Sequence, residues 1–555
     1  MTLSFCSGVF ADDNSPDTIF IDFCKTSDAY LLYSYTDVTY VETWFSYKRQ
    51  TVVESKLVIN NRMGVEKYAF LDLGQLVGDN LETIQVETIK SDGSVVALDS
   101  KPIFEQLSKA DPYDNIQYPV PGVEPGDTIL ISYMITEQLN KYQLGGYVSL
   151  YSTLPSLLVE FTITTPPDLF IRYKNYNGLH DPLIVANDTL YYCAFRIANT
   201  KGITENEYIC PLCEIPYAYY TVVKKESETR TWKEVYNKGF NFITHPVLID
   251  REAASYYRRW KKRVLIGAGD RSKYDQLNLL LNDIIRNNQI EPSRENEFLK
   301  SSGYFLKEGR FDPISIRRMY RQVFEDVGID YWAVFARSKR LGNIDPYFIR
   351  NQEFDHIFFA FENDAGSLIM LYPPDIYYKY QIDEIPTGLY NTEAVIVKPV
   401  VTRNRKRRDR YVHNDFKMAV VDSVNTSIIK LPGMRGNANY LKQIFYCDVD
   451  INERSTSFTG NLTVSGGLST DIRSFFSLLE KSKEINDFYD ALAEFEGNDI
   501  PFKIDTVISR ELDDSKPFVY NLNVRGKLLN SLTFISDSIL SITLNNLIFH
   551  TQVES

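Results

Sequence analysis

Apolar positions in the first 225 residues recur in short alternating runs, among them YLLYSY, KLVIN and DTILISYMI, and each run is closed by turn residues. A period of two places every second side chain on one face, so Thr18 to Lys225 reads as an antiparallel β-domain. The strongest hairpin signal is Asp92-Gly93, between IQVETIK and VVAL, where a two-residue turn needs the positive φ that glycine supplies freely. The second turn signal is the proline-glycine stretch PGVEPGD, Pro121 to Asp127. After about Glu226 the period changes. Leu277, Leu280, Leu281, Ile284 and Ile285 recur at helical spacing, as do Ile316, Met319, Tyr320, Val323, Phe324 and Val327. Gly328 ends the second helix, and three strand-like runs follow: YWAVFAR from Tyr331, FDHIFFAF from Phe354 and LIMLY from Leu368. Helices followed by strands predict an α+β domain that closes near Pro399. From Val401 to Ser555 short apolar strands return, with one helical stretch around Ser474 to Phe495, which predicts a mainly-β domain.

Composition supports a multidomain globular chain. At 555 residues, with roughly 150 residues per domain, three or four domains are expected. Apolar residues at 44% and charged residues at 24% exclude a disordered or collagen-like chain. The 38 tyrosines and 33 phenylalanines favour strands. With 60 Lys plus Arg against 73 Asp plus Glu, the formal net charge is −13, so no whole-chain basic field recruits nucleic acid. No apolar run approaches the roughly 18 residues that a membrane-spanning helix needs.

The first residues, MTLSFCSGVFADD, fit the tail of a secretory signal: a short apolar run, then Val9 and Ala11 at the small positions before a cut. No basic residue precedes Lys25, so the n-region of such a signal is missing. Residues 1–17 are therefore expected to be a signal remnant and N-terminal segment. The chain is then placed in the periplasm or at the cell surface, or in the cytoplasm if this segment is no signal. Six cysteines are too few for a disulfide-built scaffold. Cys210 and Cys213 form CPLC, a spacing shared by redox motifs and half of a zinc ribbon, but no second pair or His cluster lies at ligand spacing. With strand-like residues around it, this pair is expected to be a disulfide, and no metal or cofactor is expected anywhere in the chain.

Two basic runs need placing. RNRKRRDR, Arg403 to Arg410, falls at the expected boundary between the second and third domains and reads as a solvated linker or hairpin. RRWKKR, Arg258 to Arg263, falls in a helical segment where charge spreads over several faces while Trp260 packs. The GAGD at Gly267 lacks a third glycine and follows a helix, so it is no dinucleotide loop.

The order of these features resembles exported bacterial proteins in which a β-sandwich domain of unknown function precedes a transglutaminase-like core and a further β-domain. In the first domain the resemblance rests on VETIKSDGSVVAL, Val86 to Leu98, and YPVPGVEPGDTILISYMI, Tyr118 to Ile135. In the third it rests on VSGGLSTDIRSF, Val464 to Phe475, which is similar to a glycine-serine-arginine segment of the trailing domain. The resemblance implies three parts: a β-sandwich over 18–225, a papain/transglutaminase-like α+β core over 226–399, and a mainly-β domain over 400–555.

Active cores of that family resemble papain-type enzymes. A Cys opens a helix, a His comes from a following strand, and an Asp from the next strand orients the imidazole. On this sequence the stretch similar to the family's GDCKD is FDPIS: Asp312 keeps the acidic place and the Cys place falls on Pro313, or on Phe311 if the match slips by two. No cysteine occurs between Cys213 and Cys447, so neither alignment supplies a thiol. Asp312 as cap and Pro313 as first helical residue suit a helix start, while Pro lacks the N–H an oxyanion could use. His356 in FDHIFFAF keeps the His place, and Tyr372, in Tyr372-Pro373-Pro374, stands at the Asp place. Asp375, three residues on, could orient the imidazole only after a local rearrangement.

The reading therefore leans against catalysis: a multidomain α+β pseudoenzyme of transglutaminase-like type, acting as an exported binding or scaffolding protein. Its vestigial cleft around Asp312, Pro313, His356 and Tyr372 is the candidate binding site, with a peptide or envelope protein as partner. Two alternatives stand beside it. One is a transglutaminase or cysteine-protease-class enzyme with a thiol recruited from Cys210, Cys213 or Cys447. The other is an envelope glycan-binding module built on the tyrosine-rich β-domains.

Overall fold

The computed structural model describes residues 18–542 apart from 73–80, 104–116, 140–143, 204–211, 225–230, 350–353, 409–414, 474–501 and several shorter stretches. The chain forms two compact units, one of residues 1–229 with 340–353, the other of residues 230–339 with 354–555. The signal-like N-terminus, Cys210, Cys213 and the expected helix around Ser474 to Phe495 lie outside the described residues.

In the first unit the alternating runs become an eight-stranded sheet. Its order is Leu183–Ala186, Tyr191–Thr200, Ser156–Thr165, Ala29–Glu42, Tyr47–Ile59, Thr128–Leu139, Leu81–Ile89 and Val95–Ala97. A three-stranded sheet of Leu169–Tyr176, Tyr217–Lys224 and Gly145–Ser149 supplies the second layer. Tyr40, Ile163 and Phe195 from the large sheet pack with Val148, Ile171, Ala218 and Val222 from the small one in a single core cluster, which makes this a sandwich. The expectation of an antiparallel domain needs one correction. Ala29–Glu42 and Ser156–Thr165 run parallel, Ser34 beside Val159, a pairing between strands too far apart in sequence for a local turn signal to report.

The two turn signals meet in space. The hairpin between Leu81–Ile89 and Val95–Ala97 is closed by Lys90 N–H to Ser94 O at 2.8 Å and Gly93 N–H to Lys90 O at 2.9 Å. Only Gly93, at φ +86°, is left-handed there, so the turn is a type I turn with a glycine bulge rather than the expected two-residue form. Lys90 Nζ then reaches Asp127 Oδ2 and Glu124 Oε2 of the PGVEPGD turn, each at 2.7 Å.

A second correction concerns boundaries. Residues 340–353, expected inside the middle domain, belong to the first unit: Tyr219 OH donates to Leu341 O at 3.3 Å and Lys174 Nζ lies 3.5 Å from Asp345 Oδ2. The expected break at 399/400 falls inside the strand Glu393–Arg408, which pairs with Asp415–Lys430 from Glu393↔Lys430 to Arg408↔Asp415. The basic run thus starts in a strand of a hairpin and is no linker. A change in composition marks charge, whereas continuity of a sheet is set by pairing partners that the local sequence does not name.

In the second unit, a six-stranded antiparallel sheet follows the order Val247–Leu248, Asp415–Lys430, Glu393–Arg408, Tyr331–Ala336, His356–Glu362, Leu368–Leu371. Phe359 and Phe361 face the helix Ser315–Val327, where Phe324 lies 5.7 and 5.1 Å from their ring centroids. Phe358 and Ala360, turned the other way by the strand's period of two, join Val334, Met370, Leu389 and Ile396 in a core on the opposite face. Both predicted helices form. Lys273–Asn287 buries the five expected residues, and Arg251–Val264 carries RRWKKR with Trp260 buried and its indole donating to Asp283 Oδ2 at 2.7 Å. A four-stranded sheet of Tyr440–Asp450, Ser455–Ser465, Tyr520–Leu528 and Phe502–Leu512 follows in the same unit.

The helix Ser302–Glu308 lies against Arg251–Val264 so closely that a Cβ at Gly303 would fall on the Ala253 carbonyl, 2.6 Å from its carbon. Backbone cannot give way as a side chain can. Gly303→Ala is expected to cost about 3 kcal/mol in denaturant unfolding of the full chain, whereas Gly269→Ala, with open space around it, should leave the midpoint unchanged.

Candidate functional site

The site starts from a strand-to-helix turn. Arg310 holds that turn from behind, with NH1 3.1 Å from Glu297 Oε2 and NH2 2.7 Å from Oε1, while the buried Phe311 stacks on Phe305. Asp312 follows, nearly fully buried. Its Oδ1 accepts from the N–H of Ile314 at 2.8 Å and of Ser315 at 3.1 Å, its own N–H donates to Ser315 Oγ at 2.8 Å, and its carbonyl accepts from Ile316 N–H at 3.1 Å. This is a reciprocal capping box in which Pro313 takes the first position after the cap. Every N–H at this helix start, from Asp312 to Ile316, is thereby either used or, at Pro313, missing.

One turn on, Arg317 folds back and donates from NH1 to Pro313 O at 2.7 Å. Burial holds its guanidinium below the usual range, and the charges of Tyr372, Asp375 and Asp312 only partly oppose this. Arg318 is buried beside it and pushed down to about 10 for the same reason, opposed by Asp312. Arg317 is thus bonded to the helix start while feeling the charges of the strand side.

On the strand side, His356 opens His356–Glu362 and pairs with Ala336. Its Nδ1 lies 2.6 Å from the Tyr372 hydroxyl, and its Nε2 lies 3.4 Å from Asp355 Oδ2. With the phenol donating to Nδ1, a neutral ring carries its proton on Nε2, on the side of Asp355. Desolvation lowers the His356 pKa and the Asp355 charge partly opposes that; burial raises the Tyr372 phenol and the Arg317 cation partly opposes that. Tyr372 is further held by Phe358 and by Tyr380, edge to face at 4.7 Å. Asp375, considered as a substitute carboxylate, instead accepts from Tyr378 N–H at 2.6 Å.

Asp312 and Pro313 form the helix start and His356 pairs with Tyr372 on the strand side; the charges of both sets act on Arg317, and no hydrogen bond among the described residues joins one set to the other. Two residues that the sequence reading missed stand beside them. Asp355 precedes His356 directly in FDHIFFAF, and Arg317 stands one helical turn after Pro313. Adjacency and the i, i+4 spacing were the available signals. The third quoted segment, VSGGLSTDIRSF, makes a buried junction: Thr470 Oγ and Arg473 NH2 both donate to Glu384 Oε1, while Gln381 N–H donates to Oε2 at 2.6 Å. Cys24 and Cys193 are buried free thiols, and Cys447 is an exposed free thiol on Tyr440–Asp450. Among the described residues no cysteine hydrogen-bonds to His356, and no cluster of His, Cys, Asp and Glu could hold a metal ion.

Residues 47–197 match DUF3857, a domain of unknown function with a solved structure, and this span contains both motifs quoted for the first domain. No curated protein matches the chain. A structure from Parabacteroides distasonis, described as that of a "putative protease", is 11% identical, with 91% of this chain and 94% of that one covered at a TM-score of 0.45. Legionella pneumophila aminopeptidase A in complex with aspartic acid is 8% identical, with 74% and 58% covered at 0.19. At these scores neither likeness establishes a shared fold.

Two outcomes follow from the geometry. Asp312→Ala removes the carboxylate that satisfies two N–H groups and should cost about 1–2 kcal/mol in unfolding experiments, with Asp312→Asn losing less. The folded-state pKa of His356 is depressed, so as pH falls through 6.5 the unfolded chain takes up this proton first. Above that value neither state carries the proton and the contribution vanishes; below it the contribution is destabilising. Titration of 13C-labelled histidine should show the His356 midpoint below 6.5.

Proposed function

We propose that this chain is a non-catalytic, transglutaminase-like protein whose cleft beside the helix Ser315–Val327 holds an extended peptide or protein segment, and that it acts as an exported binding or scaffolding protein. The observation that carries this reading is the Asp312 carboxylate. In cysteine acyl transfer a helix N-terminus favours a thiolate, and backbone N–H groups cradle the oxyanion. Here a resident anion already sits there, Pro313 has no N–H to offer, and Ser315 closes the box. The imidazole is spent in the same sense: Nδ1 of His356 is occupied by Tyr372 OH, and the Tyr372 phenol is held protonated by burial.

A recruited-thiol enzyme finds no support among the described cysteines, since Cys447 lies on a strand paired with Ser455–Ser465, opposite Phe458. Export rests on the N-terminal sequence alone.

The test uses the full chain with 13C-labelled histidine and a synthetic octapeptide pool. Peptide should shift the His356 resonance and be retained on immobilised protein, while a fluorescent amine should not be incorporated into a glutamine-donor peptide. Retention unchanged in His356→Ala and Tyr372→Ala would sink the cleft. Amine incorporation abolished by iodoacetamide would sink the non-catalytic reading.

A further inference from the structure

The four-stranded sheet of the second unit has two unlike faces. Phe458 and Val464 on Ser455–Ser465, with Leu522 and Val524 on Tyr520–Leu528, are buried on one side. The period of two turns Asn461 and Thr463, and opposite them Asn523 and Asn521, to the other side. Asparagine is depleted in strands because its side chain competes for backbone hydrogen bonds, so three of them on neighbouring strand positions are locally unfavourable. Broken local preferences that converge on one spot point to a function. The amides are also wired together. Asn461 Nδ2 donates to Asn523 Oδ1 at 2.8 Å, Asn523 Nδ2 donates to Ser509 Oγ at 2.8 Å, and Thr463 Oγ lies 3.0 Å from Asn461 Oδ1 and 2.9 Å from Asn521 Oδ1. Register shifts in Phe502–Leu512, at Ile504/Thr506 and Val507/Ser509, bring Ser509 opposite Asn523 and into this row.

What the row can bind follows from its remaining capacity. Each amide nitrogen carries two hydrogens. Among the described residues Asn461 and Asn523 each commit one, the Asn521 amide nitrogen commits neither, and the Ser509 hydroxyl accepts from Asn523 while keeping its own hydrogen. Spare donors therefore stand beside oxygens with spare lone pairs. Charge on this face is balanced among the described side chains, with Lys442, Arg525 and Lys527 against Asp448, Asp450 and Glu511. An ion finds no net field here, and an apolar ligand would leave the amides unpaired. An extended peptide pairs through its backbone with a sheet edge rather than across side-chain amides on a face. Two residues along from Asn461, Thr459 lies opposite Tyr446, whose side chain is 72% exposed, so an aromatic ring stands next to the row.

We propose that this face, centred on Asn461, Asn521 and Asn523 and flanked by Tyr446, binds a neutral oligosaccharide. Every sugar hydroxyl both donates and accepts, which is the capacity the amides and Ser509 have left, and the less polar face of a sugar ring lies on the Tyr446 phenol. Because the amides hold one another in place, little side-chain freedom is lost on binding. The site uses none of the residues around His356 and does not depend on the peptide reading.

The test passes the full chain over immobilised neutral oligosaccharides of glucose, mannose, galactose, xylose or N-acetylglucosamine, with polygalacturonate and a sulfated oligosaccharide as charged controls. At least one neutral series should retain the chain, and equally at low and high salt, since no net charge is neutralised. Asn521→Ala and Tyr446→Ala should each weaken that retention about tenfold. The Tyr446 ring stands mostly in solvent, so Tyr446→Ala should keep the unfolding midpoint of the unaltered chain and reads the site even if Asn521→Ala does not fold. Tyr35→Ala, which alters an exposed tyrosine of the first unit, should leave retention unchanged. Retention by no neutral series, or by the charged controls alone, overturns the proposal without any variant. Full retention of Tyr446→Ala together with loss in Tyr35→Ala moves glycan binding to the first unit and overturns this site.

Discussion

The carboxylate of Asp312 organises the middle of this protein. It is nearly fully buried, and two backbone N–H groups at a helix start surround it, which offsets the cost of taking it out of water. Through the N–H groups of Ile314 and Ser315 it fixes where the helix starts and how it leaves the preceding strand, and the Arg310–Glu297 pair braces that strand. Once the start is set, the 3.6-residue period delivers Met319, Tyr320, Val323 and Phe324 to the aromatic face of Phe359 and Phe361. The same start turns Arg317 toward Tyr372. Packing and site geometry therefore share one cause.

The sheet that receives this helix is covered on both faces, which explains its near-continuous apolar strands such as HIFFAFE. Its far face is covered by Ile385, Leu389 and Leu431, and next to Ile385 the Glu384 carboxylate is paired with Arg473 and accepts from the Thr470 hydroxyl. A fully buried carboxylate with only one of its partners missing would be an uncompensated charge, so this junction tolerates little displacement. The VSGGLSTDIRSF segment thus serves to tie the trailing chain to the core, and its glycines fit close approaches: a Cβ at Gly466 would fall on Asn439, and one at Gly467 on Thr387.

Helices and strands of the second unit were legible wherever one periodicity ruled over a long stretch, as at Leu277 to Ile285 and at Ile316 to Val327. The helix start was legible too, because Asp-Pro followed by an apolar period states its capping chemistry locally. What escaped the sequence was non-local. The parallel neighbour of Ala29–Glu42, the insertion of residues 340–353 into the first unit, and the continuation of the middle sheet through Arg408 all depend on partners far along the chain. Asp355 escaped for another reason. The resemblance directed attention to the strand after His356 for an orienting carboxylate, whereas the structure supplies one from the residue immediately before it.

That displacement bears on what the cleft can do. An imidazole takes up a proton through the nitrogen that accepts a hydrogen bond, and in His356 that nitrogen, Nδ1, faces the Tyr372 hydroxyl. With Asp355 near Nε2 and Tyr372 on Nδ1, both nitrogens of His356 are already matched, and deprotonating Tyr372 would put an anion into a buried setting that disfavours it. Phe358, Tyr372 and Tyr380 with His356 therefore give the strand side of this region a fixed shape, set by one short hydrogen bond and by ring packing.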